Sequence, residues 1–262
     1  MSRPPQPVRA KEYLASQPPE LRIPGALEEI QLRVAESGRR IAVLDDDPTG
    51  TQTVHGVPVF TTWSVEDLRG ALRGPSPTFY ILTNSRSFPE ERAVEMNREI
   101  AANLALAAEQ AGAEVVLTSR GDSTLRGHYP AETDALREAL GSDFDGVILC
   151  HCYLETGRIA VEDVHWVRQG GTLVPAGETE FARDASFGYS SSGLAAWVEE
   201  KTAGRVPASE VASVGLAEIL RRVGGGRPVV VNAASYADLE VFVLGLLDAE
   251  AGGKRFLYRT GP

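Results

Sequence analysis

The stretch Arg40-Ile41-Ala42-Val43-Leu44 is an apolar, β-like run that stops abruptly at Asp45-Asp46-Asp47-Pro48-Thr49-Gly50-Thr51-Gln52-Thr53, a cluster of acids, hydroxyls and turn residues. The pattern returns three times: residues 78–82 run into TNSRS, 114–118 into SRGDSTLRG, and 146–149 into CHCYLETGR. In an open parallel sheet the carboxyl ends of the strands lie side by side, and ligands bind in the crevice beyond them. The four clusters should therefore become neighbours. The chain reads as an α/β domain, with a layered, mostly parallel sheet flanked by helices and a site at one end.

Outward from these runs, strands and helices alternate. Strands are expected at 78–82, 114–118, 146–149, 228–231 and 255–258, and helices at 65–72, 89–111, 130–140, 191–201, 208–223 and 236–250, as in a doubly wound sheet. The helix from Pro89 is the best marked. Proline suits a first turn, Glu90 and Glu91 complement the helix dipole, and Gly112 can close the end. Its Val94, Ala101, Leu104 and Ala108 recur at helical spacing and should face the sheet. Residues 1–39, broken by repeated prolines, read as an arm and a helix, and 40–262 as one α/β domain. KRFLYR reads as a final buried strand with no helix after it, and the surface near Tyr258 together with the arm leaves room for a homo-oligomer.

Composition narrows the function. A chain of 262 residues with 43% hydrophobic and 24% charged residues is an ordinary globular protein, and a net charge of -10 argues against a nucleic-acid surface. The amino terminus lacks the apolar core of a signal peptide and no run is long enough to span a membrane, so the chain reads as cytoplasmic, with no membrane partner. Cys150 and Cys152, one residue apart, exclude a disulfide framework.

The strand-end clusters carry the chemistry. Strand alternation would send Asp45 and Asp47 to one side and Asp46 to the other, so at least one carboxylate should face the crevice beside Thr49, ready to accept a hydrogen bond or a proton from a substrate hydroxyl. The alternatives at this segment are an Asx turn with solvated charges, or a magnesium site. Asn84, Ser85 and Arg86 end the next strand, and Arg86 could grip a carboxylate or simply pair with the acids. Arg120, Asp122, Ser123, Thr124, Arg126 and His128 form the densest cluster, with Gly121 and Gly127 freeing the backbone; such a set suits a small polyhydroxylated anion. His151 and Arg158 are expected to reach the crevice. Histidine spacing does not suit zinc, so no metal is assigned. Neither a nucleophile elbow nor a glycine-rich phosphate loop occurs.

Taken together, DDDPTGTQTVHGVPV, FYILTNSRS, TSRGDSTLRGHYP, GRIAVEDVHWV, LVPAGETEFARDASFGY and VVVNAASYADLE resemble the four-carbon acid sugar kinase family, in matching order from about Arg40 to Tyr258. The resemblance implies an amino-terminal domain that binds a sugar acid such as threonate or erythronate. A carboxyl-terminal domain carrying ATP and Mg²⁺ would be absent here, and would be supplied by a separately encoded partner. It further implies that Asp46, Asp47, Thr49 and Gly50 match the family's D-D-x-T-G signature, Arg86 its T-x-S-R strand end, and residues 122–127 its D-S-T-L-R-G block. On this reading arginines bind the substrate carboxylate and acids its hydroxyls, with Asp47 the proton acceptor and Asp122 second; Arg120 stands where many members of the family have a lysine nearby. The isolated chain is then expected to be inactive. Two other readings stay open: a non-catalytic sugar-acid-binding module or truncated remnant, and a metal-dependent hydrolase built on Asp45, Asp46 and Asp47.

Overall fold

The computed structural model describes residues 4–141, 144–214 and 223–262. Its strands, in chain order, are β1 (Val8–Arg9), β2 (Arg40–Asp45), β3 (Val59–Phe60), β4 (Thr78–Leu82), β5 (Val115–Arg120), β6 (Gly146–Cys150), β7 (Arg158–Val161), β8 (Val164–Gln169), β9 (Thr172–Pro175), β10 (Ala212–Val214), β11 (Arg227–Val231) and β12 (Phe256–Thr260). The helices are α1 (Ala10–Ala15), α2 (Ala26–Ser37), α3 (Val65–Arg73), α4 (Glu90–Ala111), α5 (Ala131–Leu140), α6 (Leu194–Lys201) and α7 (Tyr236–Ala251).

Eight strands form one parallel sheet in the order β10-β11-β6-β12-β5-β2-β4-β3. The register sets Asp45 opposite both Leu82 and Arg120, so β2, β4 and β5 end level with one another and their trailing loops meet. The last strand, β12, is inserted between β5 and β6 at the middle of the sheet. Tyr258 on it is buried, as expected of a buried strand, and it lies mid-sheet rather than at an exposed edge. In sheets covered on both faces, strands are apolar throughout; Val229, Val230 and Val231 on β11 accordingly have almost no exposure.

Helix α4 buries Ala93, Met96, Asn97, Ile100, Ala101, Leu104 and Ala107, a stripe at three- and four-residue intervals, while the expected Val94 and Ala108 are half-buried at its margins. It begins after Pro89 and ends at Gly112, whose φ of 63° is the left-handed geometry glycine adopts without a Cβ penalty. Each fully buried Ile or Leu of this kind contributes roughly 1.5–3 kcal/mol. Helix α7 opens with a capping box, in which Ser235 accepts from the Asp238 amide and Asp238 from the Ser235 amide.

Two regions depart from the sequence expectation. Residues 208–223 were expected to be one helix; Ala208–Glu210 is a short 3₁₀ turn and Ala212–Val214 pairs with β11, while 215–222 lie outside the described residues. Short apolar runs do not distinguish a strand from a helix by spacing alone, and pairing with β11 decides. Residues 158–175 form a second, antiparallel sheet, β1-β9-β8-β7, that the loop-like motifs there did not announce. The proline-rich arm supplies its edge strand: Val8 pairs with Leu173, and Tyr13 packs on Trp166 with ring centroids 5.2 Å apart. Helix α2 is tied to α7 by an Arg33–Asp248 ion pair at 2.9 Å. No helix among the described residues is long and apolar enough to cross a membrane.

Candidate functional site

The crevice at the carboxyl ends of β2, β4, β5 and β12 holds interlocked acids and arginines. Asp45 ends β2 fully buried, its Oδ1 accepting from Arg120 Nη1 at 2.8 Å. Gly50, in the turn that follows, lies against this pair: a Cβ there would overlap both the Arg120 guanidinium and the Asp45 carboxylate. Burial raises the Asp45 carboxyl, and Arg120 opposes it.

Beyond Asp45 the chain leaves the sheet, so strand alternation no longer applies, and Asp46 and Asp47 both approach Arg86. Arg86 Nη2 is 2.6 Å from Asp47 Oδ2 and 3.5 Å from Asp46 Oδ1, and Arg86 Nη1 is 3.6 Å from Asp122 Oδ1. Asp46 is the anomaly of the site. Three guanidiniums stand near it, those of Arg120 and Arg259 each at 3.7 Å, yet neither carboxylate oxygen has a hydrogen-bond partner among the described residues. Burial pushes its carboxyl up to about 7, against the pull of Arg259 and Arg86 and with the repulsion of Glu132. Asp47 is different. Its side chain is 28% exposed. Partial burial raises its carboxyl, but hydrogen bonds from Thr49, including the Thr49 amide at 2.7 Å, and the charge of Arg86 outweigh that and hold it low.

After β5, Asp122 accepts from Arg126 Nε at 2.6 Å and from the Thr124 hydroxyl; these overcome burial and hold its carboxyl down too. The guanidinium of Arg126 also lies over the Phe181 ring, 5.2 Å from its centroid, with Arg158 over the same ring at 5.7 Å. Ser123 contributes its carbonyl, which accepts from His165 Nε2 at 2.7 Å. Because a carbonyl only accepts, the His165 proton sits on Nε2, leaving a buried Nδ1 without a partner among the described residues. Burial lowers the His165 ring to about 4 despite that bond.

Other residues named from sequence are held by partners of their own. Ser85 is buried and donates to Glu132 at 2.5 Å. Asn84 takes a left-handed φ of 51° and donates to Ser87. His151, expected to reach the crevice, is buried beneath it against Trp197 and His165, with ring centroids 5.4 and 6.5 Å away. Burial, His165 and Arg259 keep its ring neutral, with its pKa well below the ordinary value.

Sequence reasoning missed two central groups, Arg259 and Glu132. Arg259, on β12, is 1% exposed and donates to Ser119 and Glu132, each at 2.7 Å. It passes so close to Gly121 and Gly127 that a Cβ at Gly121 would overlap its guanidinium and one at Gly127 would stand 2.8 Å from Nη2. A side chain at Gly121 would therefore have to displace this guanidinium, and at Gly127 the φ of 113° itself favours glycine. A charged residue inside the apolar run FLYRT was the only available signal.

Comparison with known proteins places the fold. Residues 41–262 match the family model described as a sugar-binding N-terminal domain. A domain of unknown function (DUF1537) from Bordetella bronchiseptica, crystallised with bound citrate as a domain-swapped dimer, is 24% identical with a TM-score of 0.61, the match covering 86% of this chain and 55% of that one. A Haemophilus influenzae protein of the DUF1537 family-model is 18% identical with a TM-score of 0.59, covering 84% of this chain and 53% of its own. The chain thus spans about half the length of the solved structures it matches. No curated protein matches it significantly.

Proposed function

The chain belongs to the sugar-binding N-terminal domain family, and from that premise we propose that it is the substrate-binding part of an ATP-dependent four-carbon acid sugar kinase. The observation that carries the reading is the row of carboxylates Asp46, Asp47 and Asp122 at one crevice, with both oxygens of Asp46 lacking a hydrogen-bond partner among the described residues. A buried acceptor without a donor is costly, and a ligand hydroxyl satisfies it. A polyol with hydroxyls on successive carbons matches a row of acceptors. The citrate carried by the Bordetella relative is likewise a small hydroxy acid, in keeping with this ligand class.

Asp47 is the proton acceptor of this proposal, with Asp122 second. Asp47 is the reachable carboxylate, and its lowered pKa keeps it ionised and able to accept. Phosphoryl transfer through a loose transition state asks mainly for positioning, so a carboxylate that orients the hydroxyl and then takes its proton suffices. Thr49 and Arg86 hold that carboxylate in place.

The residues present do not fit Mg²⁺-ATP. No group of three or more His, Cys, Asp or Glu among the described residues is arranged to hold a metal, and the crevice acids face guanidiniums. The nucleotide therefore belongs, in this proposal, to another domain, and this chain's part is to hold the acid and present its hydroxyl. The two domains of the proposal are the α/β body from residue 40 and that nucleotide partner, with residues 1–39 as an accessory arm.

Isothermal calorimetry with a panel of four-carbon sugar acids, repeated with ATP and Mg²⁺, tests this. Saturable binding of a tetronate without binding of ATP is expected. If no sugar acid binds while Asp47→Asn leaves every tested property unchanged, the reading is wrong.

A further inference from the structure

The arginines of the crevice are already engaged by carboxylates. Arg86 faces Asp46, Asp47 and Asp122; Arg120 faces Asp45 and Asp46; Arg126 faces Asp122 and Asp184; and Arg259 faces Glu132 and Asp46. A ligand carboxylate directed at any of them would first have to break a buried or half-buried ion pair, leaving a protein carboxylate uncompensated. The sequence expectation that arginines receive the substrate carboxylate therefore meets an electrostatic obstacle.

Beside this network lies a pocket of about 500 Å³ that shares Arg86 and Gly127 with it and whose wall includes His128, Ser186, Phe187, Lys201 and one acid, Glu90. Its walls are fixed from several directions. His128 Nε2 donates to the Phe88 carbonyl at 3.0 Å, and the His128 ring meets Phe187 edge-on at 4.9 Å. The backbone amides of Ser186 and Phe187 donate to Asp184, the carboxylate that also faces Arg126, so the pocket wall and the acid–arginine network are one connected structure.

Lys201, the last residue of α6, is unlike the crevice arginines: no carboxylate lies within 4.0 Å of its ammonium among the described residues. Burial lowers its pKa, and Glu200, Glu90 and Asp184 act on it only from farther away. A half-buried ammonium with no carboxylate at ion-pair distance among the described residues is relieved by an incoming anion.

We propose that Lys201 is the oxyanion-binding residue of a subsite adjoining the crevice, taking the carboxylate of a small sugar acid whose hydroxyls reach Asp46, Asp47 and Asp122. This rests on the sugar-acid reading above and adds to it the direction in which the ligand lies. The acid end points toward α6 and the Phe187 loop, and the polyol end toward β2 and β5. Specificity for an acid over its neutral polyol then comes from Lys201 rather than from the arginines.

The test compares threonate with threitol, its neutral polyol, by calorimetry on the 262-residue chain, on Lys201→Met and on Lys201→Arg. The wild type is expected to prefer the acid by about tenfold or more, as a charge-assisted hydrogen bond allows. Lys201→Met loses that preference while keeping its affinity for threitol, and Lys201→Arg restores much of it. Unchanged thermal unfolding of both variants shows that the fold is intact. In parallel, the ε-carbon NMR signal of Lys201, identified by its absence in Lys201→Met, is followed during titration with inorganic sulfate. If Lys201→Met keeps the preference for the acid, Lys201 is not the oxyanion ligand and this inference falls while the sugar-acid reading survives. If neither sugar ligand binds but sulfate moves the Lys201 signal, the oxyanion role is supported and the sugar-acid reading falls. No preference for the acid and no response to sulfate overturn both.

Discussion

Replacing Asp46 by Asn probes the electrostatics of the crevice directly. Asp46 is 2% exposed, and its carboxyl is raised from an ordinary value of 3.8 to about 7 by burial, with Arg259 and Arg86 pulling it down and Glu132 pushing it up. Between these two values the folded protein holds a proton that the unfolded chain has released. Stability is therefore full below the unfolded pKa and falls as pH rises through the folded one. A separation of about 3 pH units, at ~1.36 kcal/mol each, makes the loss as much as ~4 kcal/mol by about pH 8. Asparagine has nearly the shape of the neutral acid and does not titrate. The variant should thus gain stability over the wild type progressively from about pH 4 to about pH 7 and level off above that, and urea unfolding at intervals from pH 4 to pH 8 measures the gain. A difference between the two proteins that is the same at both ends would refute the argument, since it would mean that the three guanidiniums hold Asp46 ionised throughout. Ligand binding above about pH 7, where Asp46 has lost its proton, gives a second readout: an amide offers one acceptor oxygen where the carboxylate offers two, so affinity for a polyhydroxylated ligand should fall.

Gly121→Ala should drive a methyl group into the Arg259 guanidinium, costing roughly 1–3 kcal/mol as overpacking does; an unchanged melting temperature would show that Arg259 has room to move. Arg259→Met should cost about 3–5 kcal/mol, because it strands Glu132 and Asp46 as buried carboxylates. Adding Glu132→Gln should recover part of that loss in a double-mutant cycle, and strict additivity would argue against direct coupling. Ser235→Ala, far from the crevice in sequence, removes a capping-box acceptor and should cost ~1 kcal/mol in urea unfolding while leaving ligand affinity as it was; altered affinity would mean that α7 helps to shape the site.

The parallel α/β architecture and the meeting of the polar clusters at one end of the sheet were legible from the chain, because apolar runs that break into polar clusters report local structure and its direction. RIAVL before DDDPTGTQT located the turn that brings Asp46 and Asp47 to Arg86. Helix α4 was equally legible, since its cap, its acidic first turn and its closing glycine are all local signals. Segments whose state depends on a distant partner were not. Ala212–Val214 becomes a strand through pairing with β11, and Val8–Arg9 through pairing with β9. Nothing within either segment encodes that partner.

At the site, sequence alone determined which residue types gather at the strand ends, because each cluster directly follows its own strand. Only the tertiary structure decided what each one does. It set β12 between β5 and β6, carrying Arg259 to Glu132, 127 residues away in the chain. It turned Ser85 inward, buried His151 beneath the crevice, and left Lys201 without a carboxylate within ion-pair distance among the described residues. The reason is physical. Charge pairing and desolvation depend on distances through space and on exclusion of water, and both are fixed by strand order and packing between elements far apart along the chain.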